Sequence, residues 1–203
     1  MTRIKFCGLT RLEDVRLAAG LGVDAVGFVM TRKSKRYIAP AAAVRLRDAV
    51  PPYIATVALV MDDEPAYIDE VLRVLRPDML QFHGNESDDE CATYGVRYTK
   101  AIAMGEGAAA LQRLHDFPRA AGLLLDGHGL GEQGGSGQRF DWSLMPKDLA
   151  QPLILAGGLT PDNVAEALRV ARPWAVDVSS GIESSPGIKD RAKMECFISA
   201  VRR

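Results

Sequence analysis

Cys7 stands in the string IKFCGLT, between a short apolar run and a glycine, in a chain with only two other cysteines, Cys91 and Cys196. A thiol ionises at about pH 8.5, and its thiolate is both a base and a nucleophile. Just beyond it, Thr10 and Glu13 have capping-box spacing, which predicts a helix whose positive N-terminus lowers the thiol pKa towards neutrality. The plainer reading of a lone cysteine is a small buried hydrophobe, and that reading fits Cys91 and Cys196 within helical patterns. Asp126 closes the apolar run GLLLD, where a carboxylate without a partner or a task is costly. It is either a structural carboxylate bonded to loop amides or an acid. A thiol and a carboxyl at the ends of two separate strands supply the two halves of general acid–base chemistry.

Other residues suit an anion. LAGGLTPDNV and VDVSSGIE place Gly157, Gly158, Ser180 and Gly181 in turns after two late strands, either as ordinary tight-turn residues or as backbone N–H donors to a phosphate. TRKSKRY carries four basic residues, among them Arg36, and an arginine fork pairs with a carboxylate bidentately. Residues 127 to 140 include six glycines, with Gly134, Gly135, Ser136 and Gly137 in sequence, which suits a lid or a passive surface loop. Gln81 and His83 end another strand-like run, and Asp177 and Ser179 a further one.

Such groups have to be held together by something regular. Eight β-rich runs recur at 4–8, 25–30, 54–61, 79–84, 97–104, 122–127, 152–158 and 175–181, with helically spaced stretches between them. Repeated βα units of this number in one chain of 203 residues point to an α/β fold, a single-domain (β/α)8 barrel over residues 1–203, with a doubly wound open sheet as the rival. In a barrel the working groups belong at the C-terminal ends of the strands, where Cys7, His83, Asp126, Gly157–Gly158 and Ser179–Gly181 fall. Residues two apart on a strand face the same way, so an inward Cys7 takes Lys5 with it and an inward Ser179 takes Asp177. Lys5 and Asp177, on the first and last strands, are expected to pair, because a lone buried charge is costly.

Composition narrows the function. The formal net charge is −1, so there is no global attraction to nucleic acid or an anionic membrane. No signal-like segment and no span-length apolar run is visible, so a cytoplasmic location is expected. The cysteines lack CxxC spacing and the three histidines are scattered, which argues against a disulfide framework and a metal site.

Taken in order, KFCGLT, GFV with KSKRY, LQFHG, LLLD with GGSG and FDW, LAGGLTPDNV and VDVSSGIESSPGIKD resemble the phosphoribosylanthranilate isomerase family over nearly the whole chain. The resemblance implies a (β/α)8 barrel catalysing an Amadori rearrangement in tryptophan biosynthesis, without cofactor. It implies Asp126 as general acid, Cys7 as general base and Arg36 on the anthranilate carboxylate. Gln81, His83 and Asp177 would lie near the substrate. Gly157, Gly158, Ser180 and Gly181 would hold the phosphate, with Gly134 to Gly137 helping to close over it. The expected partner is a small phosphosugar rather than nucleic acid or membrane, and the expected state a monomer or homodimer. Other phosphate-binding barrels fit less well: a histidine-pathway aminoaldose isomerase is expected to carry aspartate at position 7, and a pentose-phosphate epimerase metal-ligating histidines.

Overall fold

The computed structural model describes residues 1–105, 107–127 and 139–203. Eight parallel strands run β1 (Arg3–Phe6), β2 (Ala25–Val29), β3 (Ala55–Val60), β4 (Met79–Phe82), β5 (Tyr98–Ala103), β6 (Gly122–Asp126), β7 (Leu153–Leu155) and β8 (Ala175–Val178). They neighbour one another in chain order, and β8 pairs with β1, so the sheet is a closed barrel. The open-sheet rival is excluded. Around the barrel lie α1 (Leu12–Gly20), α2 (Pro40–Arg47), α3 (Pro65–Leu75), α4 (Asp88–Ala92), α5 (Val164–Ala171) and α6 (Arg191–Arg202). A short antiparallel hairpin, β9 (Glu183–Ser185) and β10 (Ile188–Lys189), follows β8.

Strand alternation sorts the side chains into two layers. Ile4, Phe6, Leu80, Phe82, Leu123, Leu125, Val176 and Val178 join the large outer core with Phe28 and Phe197. The apolar cluster inside the barrel is small: Ala101, Leu124 and Ala156, with Ile154 against it. Each fully buried Phe or Leu contributes roughly 1.5 to 3 kcal/mol. Stability therefore resides mainly between strands and helices, which leaves the inner face near the strand ends free for polar groups. At the opposite rim, Asp24 Oδ2 accepts from the Ile4 N–H at 2.8 Å and Asp78 Oδ2 from the Thr56 N–H at 2.7 Å. These two aspartates clamp strand starts and are structural.

Several helix boundaries differ from expectation. The Thr10–Glu13 capping box does not form: α1 begins at Leu12, and the Thr10 hydroxyl instead donates to the Gly187 carbonyl at 2.6 Å, tying the entrance of α1 to the hairpin. A complete capping box is found at α4, between Ser87 and Glu90. At the start of α5, Asn163 accepts from the Thr160 N–H at 2.9 Å and donates to the Gly158 carbonyl at 2.8 Å. The helical pattern after β5 is realised as a 3-10 segment, Gly107–Asp116, and the one after β6 only as Trp142–Leu144. Arg76 ends α3 in the left-handed conformation just before Pro77.

Candidate active site

The C-terminal ends of the strands surround one cavity of about 700 Å³, counting its open mouth. Cys7, Arg36, Gln81, His83, Asp126, Gly157, Gly158, Asp177 and Ser180 all line it, together with Thr31, Ser34 and Ser179. Cys7 and Asp126, from β1 and β6 with β7 and β8 between them, thus open onto the same space.

Each of these side chains is set by its strand. The Cys7 N–H donates to the Val178 carbonyl at 2.9 Å, extending the β1–β8 ladder, and Gly8 then turns the chain away at φ 71°. A Cβ on Gly8 would lie 2.6 Å from Arg36 Cδ, so glycine there lets the arginine cross close to the strand end. His83 Nε2 lies 3.5 Å from Asp126 Oδ2, and Nδ1 is 3.3 Å from the Gln81 amide nitrogen. The imidazole thus lies between the Gln81 amide on one side and the Asp126 carboxyl on the other. The loop holding His83 is itself pinned: the fully buried Lys100 donates to the Gly84 carbonyl and to Glu86 Oε2, the latter at 3.1 Å.

The expected Lys5–Asp177 pair is present. Lys5 Nζ donates to Asp177 Oδ2 at 2.7 Å, on the register pair that closes the barrel. Burial works against the Lys5 ammonium, yet the Asp177 charge, with Cys7 behind it, leaves the lysine above its ordinary range. The thiol departs from expectation. Burial pushes Cys7 up rather than down, and the chief opposing influence is the Lys5 charge, not a helix terminus. Thr10 faces the hairpin, and α1 starts at Leu12 without a side-chain cap.

Arg36 is held in a way the sequence reading missed. Its Nε and Nη2 each donate at 2.8 Å to the two carboxylate oxygens of Glu183, and Glu183 Oε1 also accepts from Lys189 Nζ at 2.8 Å. Burial alone would raise the Glu183 carboxyl, but the Arg36 hydrogen bonds and the Lys189 charge outweigh it and hold it below the usual range. Lys189 also donates to the Ser179 carbonyl at 3.0 Å, so the same cluster fixes the turn after β8. Glu183 and Lys189 flank a Ser-Ser-Pro-Gly stretch six residues apart, a hairpin signal that would have placed them side by side.

Gly157 and Gly158 adopt φ 80° and 63°, which turns the chain after β7. Gly181 does not line the cavity. A Cβ there would meet the Leu159 carbonyl oxygen at 1.8 Å, so its role is to let the turns after β7 and β8 pack backbone to backbone. Gly134, Gly135, Ser136 and Gly137 lie outside the described residues. Among the described residues, no group of three or more His, Cys, Asp or Glu side chains is placed to hold a metal ion, and no helix is long and apolar enough to cross a membrane.

A closed parallel barrel whose polar side chains converge on a single cavity at the C-terminal rim defines a (β/α)8-barrel enzyme. The family model for N-(5'-phosphoribosyl)anthranilate isomerase matches residues 4–200. The chain is 51% identical to the N-(5'-phosphoribosyl)anthranilate isomerase of Stenotrophomonas maltophilia, over 100% of this chain and 94% of that one. A crystal structure of phosphoribosyl anthranilate isomerase from Thermotoga maritima superposes with a TM-score of 0.91 at 39% identity, covering 100% of this chain and 99% of that one. Another crystal structure of such an isomerase, in complex with reduced 1-(o-carboxyphenylamino)-1-deoxyribulose 5-phosphate, gives 0.89 at 36% identity, with 100% and 99% covered. The chain belongs to the N-(5'-phosphoribosyl)anthranilate isomerase family.

Proposed function

We propose that Cys7 and Asp126 act as base and acid in the isomerisation of N-(5'-phosphoribosyl)anthranilate to 1-(2-carboxyphenylamino)-1-deoxyribulose 5-phosphate. Family membership makes this chain an isomerase of tryptophan biosynthesis. The reaction moves two hydrogens within one sugar and needs no outside oxidant. Asp126 gives its proton to the furanose ring oxygen as the C1–O bond breaks and the nitrogen lone pair forms a Schiff base. Cys7, as thiolate, takes the proton from C2, giving an enolamine that tautomerises to the ketone. The acid must be protonated while the base is not, on one substrate, which suits two groups of different chemistry on separate strands.

Arg36 takes the anthranilate carboxylate, and the turns at Gly157–Gly158 and Ser179–Ser180 take the phosphate through backbone N–H groups. Asp177, anchored to Lys5, stands beside the ribose, with Gln81 and His83 on the side of the acid. The observation that carries the assignment is that Cys7 and Asp126 line one cavity with these turns and with Arg36.

The test is turnover of the phosphoribosyl anthranilate followed by its fluorescence. Cys7→Ala and Asp126→Asn are each expected to lose about 10² to 10⁴-fold in kcat while keeping the circular dichroism of the intact protein. Near-normal turnover in Cys7→Ala would remove the base from this scheme.

A further inference from the structure

We propose that Lys5 is a positioning residue for the reaction: its ammonium, anchored by Asp177, stands against the Cys7 sulfur and favours the thiolate against the burial that opposes it. This rests on Cys7 being the base, but it concerns the state of the sulfur and is tested without turnover.

The placement follows from the strand. Lys5 and Cys7 are two residues apart on one face of β1. Gly27, the one glycine of β2, faces them both: a Cβ built on it would lie 2.7 Å from Cys7 Sγ and 3.1 Å from Lys5 Nζ. Any larger side chain there would push the two groups out of place. An ammonium has three donors, and only one carboxylate oxygen, Asp177 Oδ2, takes a hydrogen bond from this one. Asp177 Oδ1 is buried and accepts no hydrogen bond among the described residues. Lys5 therefore has donors left over and the thiol beside it.

The charges facing the sulfur are Lys5 from its own strand, Asp177 from β8, Lys189 from β10 and Arg36 from the loop after β2. Lys189 and Arg36 share Glu183, which offsets much of their field. Lys5 is paired as well, with Asp177, but of the three cations it weighs most on the sulfur. It opposes the burial that raises the thiol, and its effect on Cys7 exceeds the contrary effect of Asp177. His83 and Asp126 line the same cavity at the ends of β4 and β6.

The test is the pH dependence of Cys7 alkylation by iodoacetamide, read by peptide mass with the exposed Cys196 as internal reference. Lys5→Met is expected to move the Cys7 midpoint up by about one to three pH units. Because that change leaves Asp177 buried without its partner, Lys5→Met/Asp177→Asn is measured alongside it. The double variant keeps no lone buried charge at the seam, and its midpoint should also rise, but by less. The order is thus intact, double, single, with Cys196 unmoved, and the acid limb of kcat/KM shifting with the Cys7 midpoint. An unchanged or lowered Cys7 midpoint in the folded double variant would overturn the proposal. Turnover retained in Cys7→Ala would instead remove the base assignment, leaving the midpoints to report on Lys5 alone.

Discussion

At the scale of single residues, the sulfur and the guanidinium show how a buried group depends on its neighbours. Burial raises the Cys7 thiol above its ordinary range, so much of it carries its proton in the ligand-free protein near neutrality. Since kcat/KM reports groups of the free enzyme, it should still be climbing above about pH 8.5, the ordinary thiol value, as the thiolate forms. A profile already flat below that pH would show that the thiolate exists before substrate arrives. Arg36 depends on Glu183 for its direction: with Nε and one hydrogen of Nη2 engaged, the Nη1 hydrogens and the second Nη2 hydrogen are left for substrate. Arg36→Met is expected to weaken binding by about 2 to 5 kcal/mol. Glu183→Gln keeps the arginine but loosens it, so KM should rise about tenfold, near 1.4 kcal/mol, with kcat little changed. Steady-state titration of the substrate distinguishes these outcomes, and an unmoved KM in Glu183→Gln would separate the carboxylate from binding. Lys5 and Asp177 were legible because alternation and the cost of a lone buried charge both point at the same pair. Glu183 was not, since its partner lies 147 residues away and no strand rule reaches from a loop to a hairpin.

At the scale of elements, the strands were read more successfully than the helices. A parallel strand buried on both faces writes itself as a short β-rich run, and all eight such runs became strands. Helix ends depend on where a side chain finds its partner. Thr10 had local capping chemistry available but bonds Gly187, 177 residues on. The stretch 107–116 has helical spacing but is wound as 3-10, a difference that composition does not encode. The phosphate turns illustrate the same dependence on tertiary packing. Gly181 reads from the sequence as a backbone donor to phosphate, and the structure adds a second demand on it, the close contact between two turns. Gly181→Ala should therefore drive the turns after β7 and β8 apart, costing about 1 to 3 kcal/mol of stability by overpacking against backbone that cannot yield. Urea unfolding measures that cost. Inorganic phosphate should also lose affinity as a competitive inhibitor, and a variant with unaltered phosphate inhibition would detach those turns from the anion.

At the scale of the whole molecule, closing the barrel brings distant parts of the chain into one charge system. The repeat of eight strands made closure legible, but not what closure buries. The β1–β8 seam carries Lys5 and Asp177, and the loop after β2 reaches the hairpin after β8 through Arg36, Glu183 and Lys189. Stability should accordingly fall in acid, with a sign that can be worked out. The folded Glu183 carboxyl lies below its unfolded value because Arg36 and Lys189 outweigh the upward push of burial. Below the unfolded value, about pH 4.3 for a glutamate, the unfolded chain binds the proton first, so each further drop in pH favours unfolding. The stabilisation is fully present above that pH and is lost as the pH falls through the folded value. Glu183→Gln has no such proton to take up. Its stability at neutral pH should be lower than that of the intact chain, because Arg36 and Lys189 are left facing one another without a carboxylate between them. Its decline between about pH 5 and about pH 3 should be shallower. Urea unfolding across that range compares the two slopes, and parallel slopes would mean that Glu183 titrates alike in the folded and unfolded chains, leaving the acid lability to other carboxylates.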